Sequence, residues 1–503
     1  MNQDRIITRF FKGTWNFSWA FTLVALPITS FPLLSKLAGH TLVAPLSLIP
    51  LVWLFITWLP YYFFTTNKIP GELRPLIGFV VVAVVSCLLA FFYHYPNYKE
   101  HELLRDEIEA ITTLGIGFSF LIITYTRLRT ETDLRKSLAW INLGGILFIS
   151  WSMIQIFLVV FAKGSYPVLF ESIQRLISVA NLKDQIRGFR ISGLTLEPSW
   201  LAHSLNMLYL PIWLAAVRYR VSGFKFKIGP ITVEIILLLL GCISLVMTFS
   251  RIGLIGFLAI LVWFMVDIAD WVSKKIAFRK HSEIKSTRSL KAMITTAMLF
   301  TLTVGFIALL LIMSLRDYRL RKLIDLQLNT SRQIYDLPFT KLIKKLDIAE
   351  RVFYWEMGWN VFNQYPILGV GLGNVGRYAE SMLPSEAWKM PEIKNVLFQQ
   401  TVLPNTKNLW TRILAETGIV GFIFYVTWLI VMWITSRKLY RDENPILKAF
   451  GLAGQLAILA YFFEGFSLDT FALPYVWVTL GLVLACNHLI QGKLANPDPA
   501  TTI

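Results

Sequence analysis

Charge is scarce in this chain. Only 16% of its 503 residues are Asp, Glu, Lys or Arg, while 55% are hydrophobic. A soluble domain carries about 25% charge. Mean hydropathy is +0.57. So few charges cannot coat a globule, which excludes a soluble enzyme, a disordered chain and a fibrous protein. A polytopic membrane protein remains. Cysteine is scarcer still: Cys87, Cys242 and Cys486 each lie in an apolar run. They read as packing residues, and no disulfide framework or metal set follows from them. Acids are outnumbered, 31 against 48 Lys and Arg, for a net charge of +17. In a soluble protein that excess would point to nucleic acid. Here most cations fall in short gaps between apolar segments, so topology and lipid headgroups explain them and no nucleic-acid partner is expected. The opening MNQDRIITRFFKG has no cleavable signal pattern, so the first span is expected to be retained.

Apolar length predicts an all-α polytopic membrane protein with about twelve helices. The spans fall near 15–36, 42–64, 75–95, 110–127, 138–162, 197–217, 231–248, 252–269, 292–314, 416–436, 447–467 and 471–491. The stretch 231–269 would be roughly 58 Å long as one helix, against about 30 Å of hydrocarbon. It is therefore expected to break at Thr248-Phe249-Ser250-Arg251. Residues 1–314 hold the first nine helices and a shorter outer loop at 163–196; 315–415 form one large outer loop, 416–491 the last three helices and 492–503 a tail. The tail, ANPDPATTI at its end, reads as disordered. Lys and Arg concentrate in alternate short gaps, from Arg5, Arg9 and Lys12 through Lys274–Lys291 to Lys493. That asymmetry puts both termini in the cytoplasm. The two long outer segments are rich in Arg and Lys although long loops escape this rule, so their charges are candidates for function.

Five constellations could carry chemistry. In Arg187-Gly-Phe-Arg190-Ile-Ser-Gly193-Leu-Thr195-Leu-Glu197-Pro198, Pro198 suits a first helical turn and Glu197 sits at the positive end of its dipole. Arginine forks onto phosphate oxygens; the plainer reading is interfacial snorkelling plus a cap. Arg251 stands alone in the turn between two apolar spans, a costly place for an unpaired cation. In the large loop, residues 316–350 are basic and partly amphipathic, which suits a helix lying on headgroups. Beyond Glu350 and Arg351, Trp355, Trp359 and Phe362 share one helix face at i, i+4, i+7 and are expected to pack the loop onto the membrane domain. Gly369, Gly371, Gly373 and Asn374 form a turn, with Asn374 a candidate substrate contact. The match of Gly371, Gly373 and Gly376 to G-x-G-x-x-G is no dinucleotide site, because no strand precedes it and no βαβ unit is possible. Lys407, Asn408 and Arg412 open the tenth span, where a cap with Glu416 as a structural acid competes with substrate binding. Glu464 and Asp469 are acids at the outer ends of the last two spans, able to pair with arginines or to bind sugar hydroxyls.

Taken in order, RISGLTLEPSW, TFSRIGLIGF, ERVFYWEMGWNVFNQYPILGVGLGN, KNLWTRILAETGIVGF and FALPYVWVTLGL resemble the O-antigen polymerase and O-antigen ligase family of bacterial membrane glycosyltransferases. The resemblance spans roughly residues 187 to 485. It implies a helical membrane domain of the GT-C type in the bacterial inner membrane, working at its periplasmic face. The donor would be a glycan on undecaprenyl diphosphate, with no metal or nucleotide cofactor. The products would be O-antigen, capsule or exopolysaccharide, and the expected partners are lipid-linked glycans, membrane lipids, a lipid-sugar flippase and a chain-length regulator. Arg190 and Arg251 match the family's diphosphate-holding arginines best, with Arg187 and Arg351 in support. A diphosphate leaving group gains charge, so fixed cations lower the barrier.

The pattern departs at one place. Ligases of this family carry a histidine just before the Asn-Leu that opens the tenth span. This chain has Lys407 there, and no histidine anywhere from 315 to 415. That favours a polymerase over a ligase moving glycan to lipid A core, a protein or another acceptor. Lys407 could bind phosphate, or act as a base if desolvation stripped its proton; Glu197 is the second candidate for the acceptor. A lipid-sugar transporter is the rival from another class, but it predicts internal repeats and broken midplane helices. A glycan-binding scaffold without catalysis is another, and it predicts that Arg190 or Arg251 can be replaced without loss of product.

Overall fold

The computed structural model describes residues 2–37, 39, 41–66, 69–92, 96–162, 166–180, 189–280, 284–316, 321, 343 and 347–495. Arg187, nearly all of the basic 316–350 stretch and the end of the tail lie outside them. The described chain is helical almost throughout. In order come α1 (Asn2–Val24), α2 (Pro32–Leu37), α3 (Leu48–Thr66), α4 (Arg74–Ala90), α5 (Leu103–Arg127), α6 (Glu131–Phe161), α7 (Val168–Ile177) and α8 (Pro198–Tyr219). Then come α9 (Val233–Met247), α10 (Arg251–Lys280), α11 (Ile284–Ser314), α12 (Ala349–Gln364), α13 (Leu409–Tyr440), α14 (Pro445–Glu464) and α15 (Tyr475–Ala495). The one sheet among the described residues is a two-strand hairpin, Lys227–Ile228 with Ile231–Thr232.

Nine helices among the described residues are long and apolar enough to cross a membrane. They match nine of the expected spans. The expected spans near 231–248 and 471–491 are the shorter apolar helices Val233–Met247 and Tyr475–Gln491. The chain is an all-α, multi-pass membrane protein.

The first expected span is broken. α1 stops at Val24, and residues 25–31 run without helix. Pro27 lacks an N–H and blocks the turn before it. The freed backbone is satisfied across the chain instead: Phe31 donates to the Ala44 carbonyl at 2.8 Å, Ala44 to Thr29 at 2.9 Å and Leu46 to Ile28 at 2.9 Å. Irregular backbone at membrane depth survives only when buried and paired in this way.

The break near 248–251 is present. α9 ends at Met247 and α10 starts at Arg251. Phe249 turns the chain at φ 49°, a left-handed conformation that is costly for a bulky residue. Its ring is buried against Leu254 and Met313, so apolar packing offsets that cost.

α8 and α14 form the centre of the bundle, with 89% and 78% of their apolar windows buried, against 6% for α11 at the rim. Because successive helices alternate in direction, the starts of α8, α10, α13 and α15 and the ends of α9, α11 and α14 lie at one end. The 347–408 segment covers that end. It also reaches inward. Gly369, Gly371 and Gly373 all have positive φ, and they thread between α13, α4 and α5. Val370 donates to Ala415 and Gly371 to Glu416, each at 3.0 Å. α13 opens there at Gly418, whose φ is 63°. A Cβ at Gly418 would lie 2.1 Å from the Ile367 carbonyl oxygen, so only glycine allows the loop this close.

Candidate active site

The segment after Phe189 is locked by α6. Gln155, a buried amide of α6, accepts from Ser192 N at 3.1 Å and Gly193 N at 2.7 Å, and donates to the Gly193 carbonyl at 2.9 Å. This sets Arg190 against the end of α9, where its Nε donates to the Thr248 carbonyl at 2.9 Å. Helix C-termini carry orphan carbonyls and partial negative charge, so a cation belongs there. Three residues on, Arg251 opens α10 and its Nη2 donates to the Asp347 carbonyl at 3.2 Å.

Asp347 leads into α12, which supplies two more charges. Glu350 Oε1 accepts from Lys407 Nζ at 2.5 Å, and the Lys407 ammonium also stands 5.0 Å from the Tyr354 ring centroid. Burial, then the Glu350 charge, pushes the Tyr354 hydroxyl pKa above its ordinary value. Arg351 Nη1 donates to Ser467 Oγ at 2.7 Å. From the start of α13, Arg412 pairs with Glu416 at 2.9 Å and donates to the Asp469 carbonyl. The Asp469 carboxyl is raised above the usual carboxylate range by burial, with Glu197 adding to the rise; Arg412, Lys407 and Arg351 pull the other way. Glu197 is exposed at the head of α8, where it accepts from the Ser199 hydroxyl.

The fold thus gathers Arg190, Arg251, Arg351, Lys407, Arg412, Asp469 and Glu197 at one end of the bundle. Two of the cations, Lys407 and Arg412, are paired with carboxylates. Arg190 and Arg251 each donate to a backbone carbonyl, and Arg351 donates to the Ser467 hydroxyl.

Three expected site residues are placed otherwise. Asn408 is the N-cap of α13, accepting from Trp410 N and Thr411 N, as the capping alternative had it. Asn374 is buried beside α5 and donates to Glu107 Oε1 at 2.7 Å. Glu464 is fully buried and accepts from His203 Nδ1 and Asn206 Nδ2. The aromatic face expected for α12 also needs correction. Its buried residues are Ala349, Phe353, Tyr354, Met357, Gly358 and Val361, whereas Trp359 is exposed, Phe362 is half-buried and Trp355 meets the 465–474 loop through Phe466. Gly358 decides this. A Cβ there would sit 2.6 Å from Thr406 Cγ2, so the glycine side meets the start of α13 and turns Trp359 outward.

Glu350, Ser467, Gln155, His203 and Asn206 are parts of this end that the sequence reading did not single out. The available signal was a polar residue inside an apolar helix, as with Gln155 and Asn206.

Residues 236–426 match the O-antigen ligase family model. That stretch of the chain is thus similar to the O-antigen ligase family. The matched region carries Arg251, Arg351, Lys407 and Arg412, four of the gathered cations. No curated protein matches the chain significantly.

Proposed function

We propose that the chain is a glycan polymerase that joins repeat units carried on undecaprenyl diphosphate. The observation that carries this reading is that Arg190, Arg251 and Arg351, from three separate segments, are each held by a hydrogen bond at the same end of the bundle, with Arg351 beside Asp469. The donor diphosphate lies among these three guanidiniums. An acceptor hydroxyl attacks the anomeric carbon of the donor sugar. The carbon–oxygen bond to the diphosphate breaks and its electron pair leaves with undecaprenyl diphosphate. Charge grows on the leaving group in that step, so pre-placed cations favour the transition state over the ground state. Arginine is a poor base. Glu197, exposed beside the cluster, takes the acceptor proton. Lys407 and Glu350 fix the start of α13 against α12 and add field. The reaction uses no metal, so a chelator leaves it unchanged. It runs on the side that the Lys and Arg distribution assigns to the periplasm, in the inner membrane.

The second reading is a ligase, which the name of the matched family favours. The two differ in product. Purified protein is given lipid-linked repeat units, and products are resolved by gel and mass spectrometry, for wild type, Arg251→Ala and Glu197→Gln. A ladder of lengths on the lipid carrier, lost in both variants, supports the polymerase. Transfer to an added acceptor without a ladder makes the enzyme a ligase. A full ladder from Arg251→Ala refutes the diphosphate clamp.

A further inference from the structure

Glu464 lies beneath the cation cluster and its carboxylate is fully buried. Burying an acid is costly unless donors are pre-arranged for it. Two are. His203, in the tautomer with its proton on Nδ1, donates to Oε2, and Asn206 Nδ2 donates to Oε1 at 2.6 Å. His203 and Asn206 are also buried, and Asn206 begins the second residue of a π turn, Leu205–Tyr209, that interrupts α8. Such π turns cluster at functional places because they aim a side chain off the regular helical register.

This triad ties three helices of the site together. Asn206 Nδ2 also reaches the Gly253 carbonyl at 2.7 Å, two residues after Arg251. Glycine is needed on that face: a Cβ at Gly253 would lie 2.5 Å from Ala202 Cβ, and one at Gly256 would lie 3.0 Å from Glu464 Oε1. On the α14 side, the Glu464 carbonyl accepts from Ser467 N and Leu468 N at 2.9 Å each. That turn presents Ser467 to Arg351 and carries Asp469. On the α8 side, His203 lies less than two turns below Glu197.

Resting on the glycosyl-transfer reading above, we propose that His203, Asn206 and Glu464 are positioning residues that lock α8, α10 and α14 so that Arg251, Arg351 and Glu197 address one substrate. A buried imidazole whose Nδ1–H is held by a carboxylate is fixed in tautomer and orientation. With 1% of its surface exposed, His203 acts through the helices and does not touch substrate.

The test compares His203→Ala with His203→Asn, whose amide nitrogen stands where Nδ1 does and cannot titrate. Gly256→Ala, which only crowds Glu464, is the third variant. Each is purified in detergent, checked by thermal melt, and assayed both for product and for binding of undecaprenyl diphosphate. Losing a hydrogen bond to a charged group costs about 10–100-fold. His203→Ala should lose that much in kcat. His203→Asn should recover to within a few-fold of wild type with an unchanged pH profile, and Gly256→Ala should lose several-fold while staying folded. Full activity in His203→Ala, or a folded His203→Asn as inactive as His203→Ala, overturns the proposal. Should His203→Ala not fold, Gly256→Ala decides, and wild-type activity there overturns it. If wild type binds the diphosphate yet makes no product, the glycosyl-transfer reading fails alone. Affinity then reports the clamp: weakened in His203→Ala and restored in His203→Asn if it holds, equal in all if it does not. A wild type that does not bind the diphosphate refutes both.

Discussion

Replacing Lys407 by Met separates two roles for its ammonium. In the structure Nζ lies 2.5 Å from Glu350 Oε1, with the two side chains 34% and 28% exposed. Water reaches such a pair, so its coupling is about 0.5–1 kcal/mol. Losing Lys407 also leaves Glu350 half-buried and unpaired, which adds a penalty of similar size. If Lys407 is a tie between α12 and α13, Lys407→Met costs about 1–2 kcal/mol, roughly a five- to thirtyfold effect. The double variant with Glu350→Gln should then cost less than the two single variants together, by about the coupling energy. A base behaves differently. It must first be neutral, and an adjacent carboxylate favours the charged ammonium. Were Lys407 the base, Lys407→Met would lose about 10²–10⁴-fold in rate, and Glu350→Gln would speed the reaction. The assay is a double-mutant cycle on initial rate and on melting temperature, in one detergent and at one pH. A folded Lys407→Met that is 10³-fold slower, together with a faster Glu350→Gln, would refute the tie.

Arg251→Lys should restore only part of the activity lost in Arg251→Ala, because an ammonium cannot fork onto two phosphate oxygens; equal rates for Lys and Arg would mean that charge alone matters there. Gly418→Ala forces a positive φ on alanine and a Cβ 2.1 Å from the Ile367 carbonyl, so folded yield and melting temperature should fall by several kcal/mol equivalents, and a wild-type melt would contradict the loop placement. Burial raises the Asp469 pKa, so its neutral form persists above the usual carboxylate range. That form's stabilising share is present at low pH and disappears as pH rises through the raised value. Once ionised, Asp469 competes with the diphosphate for Arg351. Donor affinity should therefore weaken as pH rises through that window, and Asp469→Asn should flatten the trend; a variant that keeps the wild-type slope would move the titration elsewhere.

Much of the architecture was legible in residue order. Long apolar runs mark helices whatever their neighbours are, because hydrocarbon rewards any backbone that pairs with itself. The break before Arg251 followed from length alone, and the Asn408 cap followed from residue type at a helix start. The α1 break at Pro27 was masked by apolar composition on both sides of it. The buried face of α12 was misread because helical spacing shows which residues share a face and not which face meets a neighbour. Gly358, small enough to admit Thr406, settled that.

The chain's own order of residues determined that it is a helical membrane protein, roughly where its helices run and which segments carry unexplained cations. Those properties are local: hydrophobicity, caps and breakers act over a few residues at a time. Only the tertiary structure decided what those cations meet. Arg251 meets Asp347 across 96 residues, Arg351 meets Ser467 across 116, and Lys407 meets Glu350 across 57. The same packing buried Glu464 against His203 and Asn206 instead of opening it to a sugar. A carboxylate's role depends on which donors surround it, and that is set by which helix ends abut, an outcome of packing the whole bundle that no single stretch of sequence encodes.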